Sequence, residues 1–507
     1  MNDMILIIGL HPLTNFVEEK YRENGKMVTA IETYQNSIDV DMFEEVCIMM
    51  DGKNKDTADA ESLSAVASIA EKKTNNKIIT CHLLLHSNQT LQLLQKEDWN
   101  ECIRSKMDIY PFTTDQIWTN TIRVDWKPVC LSSEYVPHVV IFGNSQMAEM
   151  VASNIAHTAH FPNYIKNHNL RTRITIVDDN AEEIMKRWTS HFKHLLDNSY
   201  YRLVDARQNP KVLFFHEPIY ANSREDFVDV EWEFVKASPY DYPVRNKLQI
   251  WAADTSRQLL TVVMAYERQI NNINNAVNLP DALFNLDIPI YVYMKDDSNY
   301  SLLNKQGKLG KIIPFGMIDK GYDVRMPFIA MAKNVNYIYD LCYNENIAID
   351  HNQLYKKEQN LRFAVDIDKK KRDELWRKLS NVKRLSNLYN AVTVPVKMRS
   401  LGIEENEWEK FYDLSQPQIN IMAEVEHNRW VLEELMLGWR PCDDQETKEV
   451  EQNIEMKEIL KKQKIHYDIR AYNDLRTDVT GQNVRLYDIC LCAALPLITN
   501  TFAEEIK

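Results

Sequence analysis

The chain contains little glycine, no long apolar run and no excess of positive charge. Only 11 of its 507 residues are glycine, whereas 26% are charged, so we expect packed domains with short or helical connections. The formal net charge of -13 disfavours a long nucleic acid as the main partner. The best apolar candidate, residues 489–498, is far shorter than the roughly 20 residues of a membrane span. We therefore expect a soluble cytoplasmic protein without membrane insertion or a signal peptide.

Motifs that would mark an enzyme or a metal protein are also missing. The eight cysteines are scattered, with no CxxC pair and no Cys/His cluster at zinc spacing, which is typical of a reducing cytoplasm. The sequence has no GxSxG, Walker or HExxH motif. Two histidine pairs stand at i, i+3 spacing on predicted helices: His157 with His160, and His191 with His194. We interpret them as surface or core histidines, and predict no metal ligand and no catalytic residue.

The first block alternates short apolar runs with helical stretches. Strands are predicted at residues 4–9, 27–31, 46–50 and 77–85, and helices at 13–21 and 58–70. This rhythm predicts a doubly wound α/β sheet of the Rossmann-like type. Gly9 and Glu32 stand where a dinucleotide fold needs them, but His11 and Thr14 replace the small residues of the glycine fingerprint. We favour a degenerate, structural unit, with a dinucleotide site as the alternative.

A second Rossmann-like opening begins at residues 138–143. Its loop keeps Gly143 for the tight turn and Ala148 for close helix packing, while Ser145 replaces the middle glycine. The helix behind the loop favours an anion at its N-terminus. Later strands are predicted at 174–177, 248–252 and 288–294. The predicted cofactor-binding residues are Gly143, Asn144, Ser145, Gln146, Met147, Asp178, Asp179 and Asp254.

The pattern does not identify the cofactor of this block. NAD(H) or an adenine nucleotide fits a glycine-containing loop followed by an acid at the end of the second strand. The alternative is that Asp178 only caps the next helix.

A segment near the C-terminus, after a region of predicted long helices, is rich in residues that are costly to bury. Residues 423–430 read Ala-Glu-Val-Glu-His-Asn-Arg-Trp, and residues 438–440 read Gly-Trp-Arg. Such side chains must pair with one another or face a ligand. Glu426 and Arg429 stand at i, i+3 and can pair on one helix face. One interpretation is therefore a salt bridge that organises the domain beneath packed tryptophans.

The alternative interpretation of this segment is a small pocket. In that pocket aromatic side chains stack on a base or another planar ligand, and two arginines bind phosphate. The predicted ligand-binding residues are Glu426, His427, Arg429, Trp430, Trp439, Arg440 and Tyr472.

The same segment resembles the RyR domain, the ryanodine-receptor repeat that also occurs in bacterial proteins. The resemblance rests on residues 423–430 and 438–440, on 464–466, on Tyr472 and Leu475, and on Asp488 before an apolar helix. Pro441-Cys442 and Tyr472 depart from the usual pattern. The block around Gly143 is similar to TrkA-N, the nucleotide-binding Rossmann domain of RCK potassium-channel regulators, so the whole chain resembles a bacterial TrkA-N and RyR fusion.

This resemblance implies a ligand-responsive regulatory protein, with antiphage nucleotide signalling as one expected setting. The expected domains are 1–130, a degenerate Rossmann-like domain; 131–318, a TrkA-N-like Rossmann domain; 319–414, a helical linker region; and 415–507, a small, mainly α, RyR-like domain. The leading hypothesis is a homo-oligomeric sensor of a nucleotide or nucleotide-derived signal. A scaffold or gating partner of a potassium channel or transport system is the alternative, and an NAD(P)-dependent or nucleotide-processing enzyme is the third.

Overall fold

The structure is a computed structural model of the whole chain. It describes residues 4–35, 37–51, 55–218, 226–295, 307–317, 321–324, 326–344, 367–404, 414–475 and 484–499. These residues form two large β-sheets, one parallel and one mainly parallel, each covered by helices, and a C-terminal helical part with a two-stranded sheet. The α/β class predicted from the sequence is thereby confirmed. Among the described helices, none has both the length and the apolar character needed to cross a membrane.

The first unit is a five-stranded, wholly parallel sheet. Its elements are β1 (Met4–Ile8), α1 (Leu13–Glu23), β2 (Met27–Ile31), β3 (Glu45–Ile48), α2 (Lys55–Lys72), β4 (Ile79–Leu85), α3 (Asn88–Lys96), α4 (Glu101–Arg104), β5 (Met107–Thr113) and α5 (Thr114–Thr119). The strand order is β2-β1-β3-β4-β5, the flavodoxin-type order of doubly wound sheets. Apolar residues of β1 alternate between the face covered by α1 and the face covered by α2, so both faces are buried.

The second unit contains an eight-stranded sheet. Its elements are β6 (Val136–Phe142), α6 (Gln146–Thr158), α7 (Asn163–Lys166), β7 (Thr172–Asp178), α8 (Ala181–His191), α9 (Lys193–Asp197), β8 (Tyr201–Asp205), β9 (Lys211–His216), β10 (Val230–Lys236), α10 (Tyr242–Ala253), β11 (Gln258–Met264), α11 (Gln269–Val277), α12 (Asp281–Asn285), β12 (Ile290–Tyr293) and β13 (Ile312–Phe315). The order is β13-β12-β11-β6-β7-β10-β8-β9, and β9 is antiparallel to β8.

Six strands of this sheet follow the Rossmann order. Read from β10 through β7, β6, β11 and β12 to β13, they match the order 3-2-1-4-5-6, and the β8–β9 hairpin extends one edge. The central strand β6 is buried along its whole length, as expected for a parallel strand with helices on both faces. In this order, the chain changes direction across the sheet between β6 and β11.

One predicted strand is wrong. Residues 248–252 belong to helix α10, which places Leu248 and Ala252 on one buried face at i, i+4 spacing. The intervening Ile250 is exposed. Because α10 leads into β11, Asp254 lies at the amino end of that strand, opposite the end that carries the Gly143 loop. The predicted role of Asp254 in cofactor binding is corrected accordingly.

The C-terminal part is mainly helical. Its elements are α13 (Pro327–Asn344), α14 (Lys369–Lys378), α15 (Asn381–Ser400), α16 (Gln416–Met436), β14 (Arg440–Pro441), α17 (Asp444–Gln452), α18 (Glu455–Lys461), β15 (Ile465–His466) and α19 (Arg485–Ala493). One half of α16 packs with α13, α15 and α19 in a helical core, and its other half packs against the second sheet unit. Helix α16 therefore belongs to two cores.

Candidate functional site

The loop after β6 lies at the point where the second sheet changes direction. Gly143 has a φ of +117°, and a Cβ there would come within 2.8 Å of the Ala265 carbonyl oxygen at the end of β11. Only glycine fits without shifting backbone. Ser145 caps α6: its hydroxyl accepts a hydrogen bond from Ala148 N at 3.1 Å and donates one to Ala265 O. The serine therefore holds the loop in place and is buried.

The remaining predicted residues of this loop divide between surface and core. Asn144 and Gln146 are exposed, whereas Met147 is buried in the core of the second unit. Asn144 Oδ1 accepts a hydrogen bond of 2.9 Å from Arg187, which also pairs with Glu149. The exposed face of this loop is thus polar. It is bordered by the ion pair between Arg187 of α8 and Glu149, which lies in the first turn of α6.

Two acids stand at the end of β7, beside the same loop. Asp178 is buried and accepts a hydrogen bond of 2.9 Å from Asn180 N, whereas Asp179 is exposed. Burial raises the pKa of the Asp178 carboxyl. The strand pairing brings β6 and β7 together, because Gly143 N donates to Val177 O at 3.1 Å. The structure therefore brings together seven of the eight residues predicted for this site, all except Asp254.

Arg429, predicted as a ligand-binding residue, lies in a buried ion-pair network. Its guanidinium donates to Glu426 at 2.8 and 3.0 Å and to Glu433 at 2.6 Å. Lys397 Nζ donates to the second oxygen of Glu426 at 2.5 Å, and all four side chains are at most 3% exposed. The predicted pairing of Glu426 with Arg429 is present. A phosphate at Arg429 would have to displace a buried carboxylate.

Electrostatics make this network sensitive to the loss of any partner. Burial opposes ionisation of Glu426, but the charges of Arg429 and Lys397 outweigh it and hold its pKa at about 2. The guanidinium pKa of Arg429 is raised, because Glu426 and Glu433 overcome the cost of its burial. Removing one partner from such a network leaves an uncompensated buried charge, which typically costs about 3–5 kcal/mol.

The aromatic residues of the C-terminal segment form a second cluster, to which α16 contributes the neighbouring face that carries His427 and Trp430. The His466 ring lies edge-on to Trp430 and Trp439, with ring centroids 5.1 and 5.7 Å apart. His427 lies 5.7 Å from Trp430 and 5.6 Å from Tyr472, and its Nε2 is 2.8 Å from Arg470 O. Trp430 and Trp439 are half-buried, so the cluster reaches the surface.

Arg440 lies near this aromatic cluster but is paired. Its two terminal nitrogens donate to Glu446 at 2.6 and 2.8 Å, and Nη1 also donates to Pro441 O at 3.0 Å. Glu446 is the third residue of α17 and also accepts from Asp443 N in a capping box. The predicted ligand-binding residues therefore separate into an enclosed ion-pair network, a half-buried aromatic cluster and a partly exposed arginine.

Helix α6 joins the Gly143 loop to the buried network. His157, in its last turn, stacks on Tyr389 of α15 with centroids 4.0 Å apart and planes inclined by 11°. Burial, together with the nearby charge of Arg429, lowers the His157 pKa to about 3, so the imidazole is neutral. His160 follows the helix and contacts Asp229 at 2.8 Å, while His191 is exposed and His194 is partly buried. Neither predicted histidine pair forms a metal cluster among the described residues.

Sequence reasoning missed a cluster in the first sheet. Glu45 and Cys47 of β3 and His82 of β4 place one carboxylate oxygen, one sulfur and one imidazole nitrogen within 4.8 Å of one another. The available signals were the i, i+2 spacing of Glu45 and Cys47, which puts both on one face of a strand, and a histidine inside an apolar strand. The spacing of these residues along the sequence does not show that β3 and β4 are neighbours in the sheet.

Two cavities lie between the units. One, of about 220 Å³, is lined by Asn154 and Thr158 of α6, by apolar residues of α13 and α15, and by the Asp125–Arg399 ion pair. It is smaller than the 300–1,000 Å³ typical of ligand pockets. The other, of about 550 Å³, is more open and lies between residues 128–132 and helix α16. Neither contains a residue predicted from the sequence as a binding residue.

Comparisons with protein-family models, with curated proteins and with solved structures found no match to this chain.

Proposed function

We propose that this protein senses a nucleotide or a nucleotide-derived signal at the carboxyl edge of its second sheet and transmits binding to its C-terminal helices. One observation carries the proposal. The Gly143 loop, the N-terminus of α6 and Asp178 meet where the 3-2-1-4-5-6 strand order reverses, which is the place where doubly wound sheets bind nucleotides.

Each part of this edge suits one part of a nucleotide. The first turn of α6 presents backbone N–H groups and a positive dipole end to a phosphate. Asp178 has lone pairs beyond the one used by Asn180 N, and a ribose diol can donate to them. NAD(H) and adenine nucleotides share both features, so the shared chemistry is a ribose bearing a phosphate.

Helix α6 provides the route of transmission. Its first residues border the proposed site, and its last turn packs through His157 on Tyr389 of α15, beside the network of Arg429, Glu426 and Glu433. Packed elements tend to move between discrete arrangements because the interior is close-packed. We propose that a small shift of α6 on ligand binding changes the packing of α15 and α16.

The proposed domain arrangement follows from the same contacts. The second sheet unit is the TrkA-N-like sensor, the first is a structural partner, and the C-terminal helices form the RyR-like output domain. The half-buried cluster of Trp430, Trp439 and His466 offers that domain a stacking surface for a planar ligand. This cluster is a weaker candidate for the ligand site than the Gly143 loop, because the arginines near it are already paired with carboxylates.

The test is a thermal-shift panel with NAD(H), NADP(H), ADP-ribose, adenine mononucleotides and cyclic nucleotides. A ligand at 100 times its Kd adds about 2.7 kcal/mol of stability. We expect Asp178→Asn to weaken the best ligand by about 10- to 100-fold, since hydrogen bonds to a charged group contribute about 1.5–3 kcal/mol. Asp254→Asn, at the opposite end of the sheet, is the matched control. If no ligand of the panel raises the melting temperature, or if both variants lose the same affinity for the best ligand, the proposed site is rejected.

An exposed strand supports the scaffold alternative. Strand β9 is the edge of the second sheet, and Val212, Leu213, Phe214 and Phe215 are each at least 42% exposed. An apolar edge strand is a template for pairing with another chain. If this edge assembles the protein, the double variant Leu213→Lys/Phe215→Lys should shift a dimer to a monomer in light scattering. A wild-type chain that is monomeric at micromolar concentration would argue against the scaffold.

A further inference from the structure

The cluster in the first sheet has the composition of a metal site. Cys47 of β3 is the direct pairing partner of His82 of β4, and Glu45 precedes Cys47 by two residues on the same sheet face. We propose that Glu45, Cys47 and His82 bind a divalent transition metal ion, Zn²⁺ by preference. Thiolate, imidazole and carboxylate are the three ligand types of zinc sites.

The separations of the donor atoms suit a single ion. A tetrahedral zinc ion with bonds of about 2.0–2.3 Å holds its ligand atoms roughly 3.3–3.8 Å apart. The three donor atoms lie within 4.8 Å of one another, so small side-chain rotations bring them to bonding distance. Strands β3 and β4 hold the two backbone segments in fixed register, which makes the site largely pre-formed.

The hydrogen bonds around the cluster are of the kind that orient the ligands of a metal site. His82 is 1% exposed, and its Nδ1 lies 2.7 Å from the Tyr322 hydroxyl, which can fix the ring orientation. Its Nε2 contacts Glu45 but makes no hydrogen bond of good geometry within the described part of the chain. Tyr21 donates to Glu45 and lies 3.7 Å from the Cys47 sulfur. The imidazole nitrogen that does not bond to Tyr322 is therefore the one that faces the other two ligands.

Surrounding apolar groups explain why an ion would be retained. The cluster is covered by Val17 of α1 and by Phe112, whose ring stacks on Tyr322 at 5.1 Å. The metal-binding form of cysteine is the thiolate, so on binding the Cys47 S–H bond breaks, one sulfur–metal bond forms, and one proton leaves to solvent.

The site also ties two parts of the chain together. Tyr322 belongs to residues 321–324, which follow the second sheet in sequence yet pack under the first. A bound ion that orients His82 therefore stabilises the contact between this connecting segment and the first sheet. This role is independent of nucleotide binding at the second sheet.

Co²⁺ substitution of the full-length protein tests the proposal. The parent carries Cys102→Ser and Cys130→Ser, because these are the thiols that reach the surface. After removal of metal with a chelator, we expect one Co²⁺ per chain, with a thiolate-to-metal charge-transfer band and a rise in melting temperature. Zn²⁺ should displace Co²⁺ and remove the band.

Single substitutions assign the ligands. Cys47→Ser should abolish the charge-transfer band, whereas Cys81→Ser, a buried cysteine on the opposite face of β4, should retain it. His82→Gln should weaken affinity at least about 100-fold while leaving the thiol in place. Tyr322→Phe should weaken it about 10-fold, because it removes the hydroxyl that bonds to the imidazole of His82. The absence of a band in the parent, or its retention in Cys47→Ser, would overturn the proposal. If Cys47→Ser does not fold, the metal affinity of His82→Gln is the test, and an unchanged Co²⁺ affinity in that variant would overturn the proposal.

Discussion

The two parallel sheets belong to one fold class but differ at their carboxyl edges. At the first sheet, His11 and His86 occupy the edge with ring centroids 5.5 Å apart, and His86 Nε2 lies 2.9 Å from Met50 O. At the second sheet, the corresponding edge carries the Gly143 loop with exposed Asn144 and Asp179. Doubly wound sheets in general bind ligands at this edge, and the two edges of this protein differ in the side chains that they carry there.

The two units also differ in how they are supported. The second unit shares its core with Val431, Leu432 and Leu435 of α16, whereas the two cores of the first sheet contain no residue of that helix. A substitution that destabilises α16 should therefore lower the stability of the second sheet more than that of the first. This difference separates the units experimentally.

The largest expected effect comes from Arg429→Met. The substitution leaves Glu426 and Glu433 buried without their main partner, and we expect a loss of about 3–5 kcal/mol in the free energy of unfolding. In hydrogen exchange, amides of β6 and β7 should lose protection while those of β1 and β3 keep it. Arg440→Met, which removes a partly exposed pair, should cost only about 0–1 kcal/mol. Equal loss of protection in both sheets would contradict this distinction.

The next effect compares the glycines that end the first strand of each unit. A Cβ on Gly9 would lie 2.0 Å from the Met49 carbonyl oxygen, closer than the 2.8 Å contact at Gly143, and both residues have φ near +120°. We expect Gly9→Ala to destabilise by at least about 3 kcal/mol and Gly143→Ala by about 2–3 kcal/mol. Gly25→Ala, where φ is positive but space is open, should cost about 1 kcal/mol. Chemical denaturation measures all three, and the reverse order for Gly9 and Gly25 would refute the steric argument.

Controls apart, the smallest effect per residue is a pH dependence, to which the second unit contributes two buried histidines and the first unit one that is partly buried. Burial lowers the pKa of His138 and of His157 to about 3, and that of His11 in the first unit to about 4. The folded protein keeps these rings neutral, while the unfolded chain protonates them near pH 6.5. Stability is therefore present above pH 6.5 and is lost as pH falls toward 3, by up to about 2 kcal/mol per ring at pH 5.

A substitution tests this pH dependence. His157→Phe keeps the stacking on Tyr389 and removes the titrating group, so the loss of stability between pH 7 and pH 5 should become smaller. Melting temperatures at the two pH values measure it. An unchanged difference would show that His157 contributes nothing to the acid sensitivity.

The sequence predicts much of the fold, because parallel strands buried on both faces are continuous apolar runs. Residues 27–31 form β2 as predicted, and residues 138–142 lie within β6. The predicted strands do not include β5, β8, β9, β10, β11 or β13. In β10 the reason is visible, because its Val-Glu-Trp-Glu-Phe pattern carries two acids. Arg173 and Arg202, on neighbouring strands, pair with those acids. Such pairing joins residues far apart in the chain, so it has no local signature.

The arrangement of the candidate site residues could be predicted only in part for the same reason. The loop after β6 has a local signature, and its residues come together with Asp178. The polar and aromatic neighbours of Arg429 in the sequence predict a binding residue. In the structure, however, Glu433 accepts from it one turn further along α16, and its other partner, Glu426, also pairs with Lys397 of α15. Which way a charged side chain faces depends on partners that spacing along the chain does not reveal.

Helix α6 imposes a constraint on length. Its 13 residues span about 20 Å, with the loop at one end and the stacked His157 ring at the other. Because each residue turns a helix by about 100°, one inserted residue would rotate His157 away from Tyr389 even if every side chain were preserved. Four inserted residues would restore the direction to within about 40° but shift the ring by about 6 Å along the axis. Helix α6 should therefore tolerate substitutions better than insertions or deletions. The number of its residues fixes the angle, about the helix axis, between the loop at one end and His157 at the other.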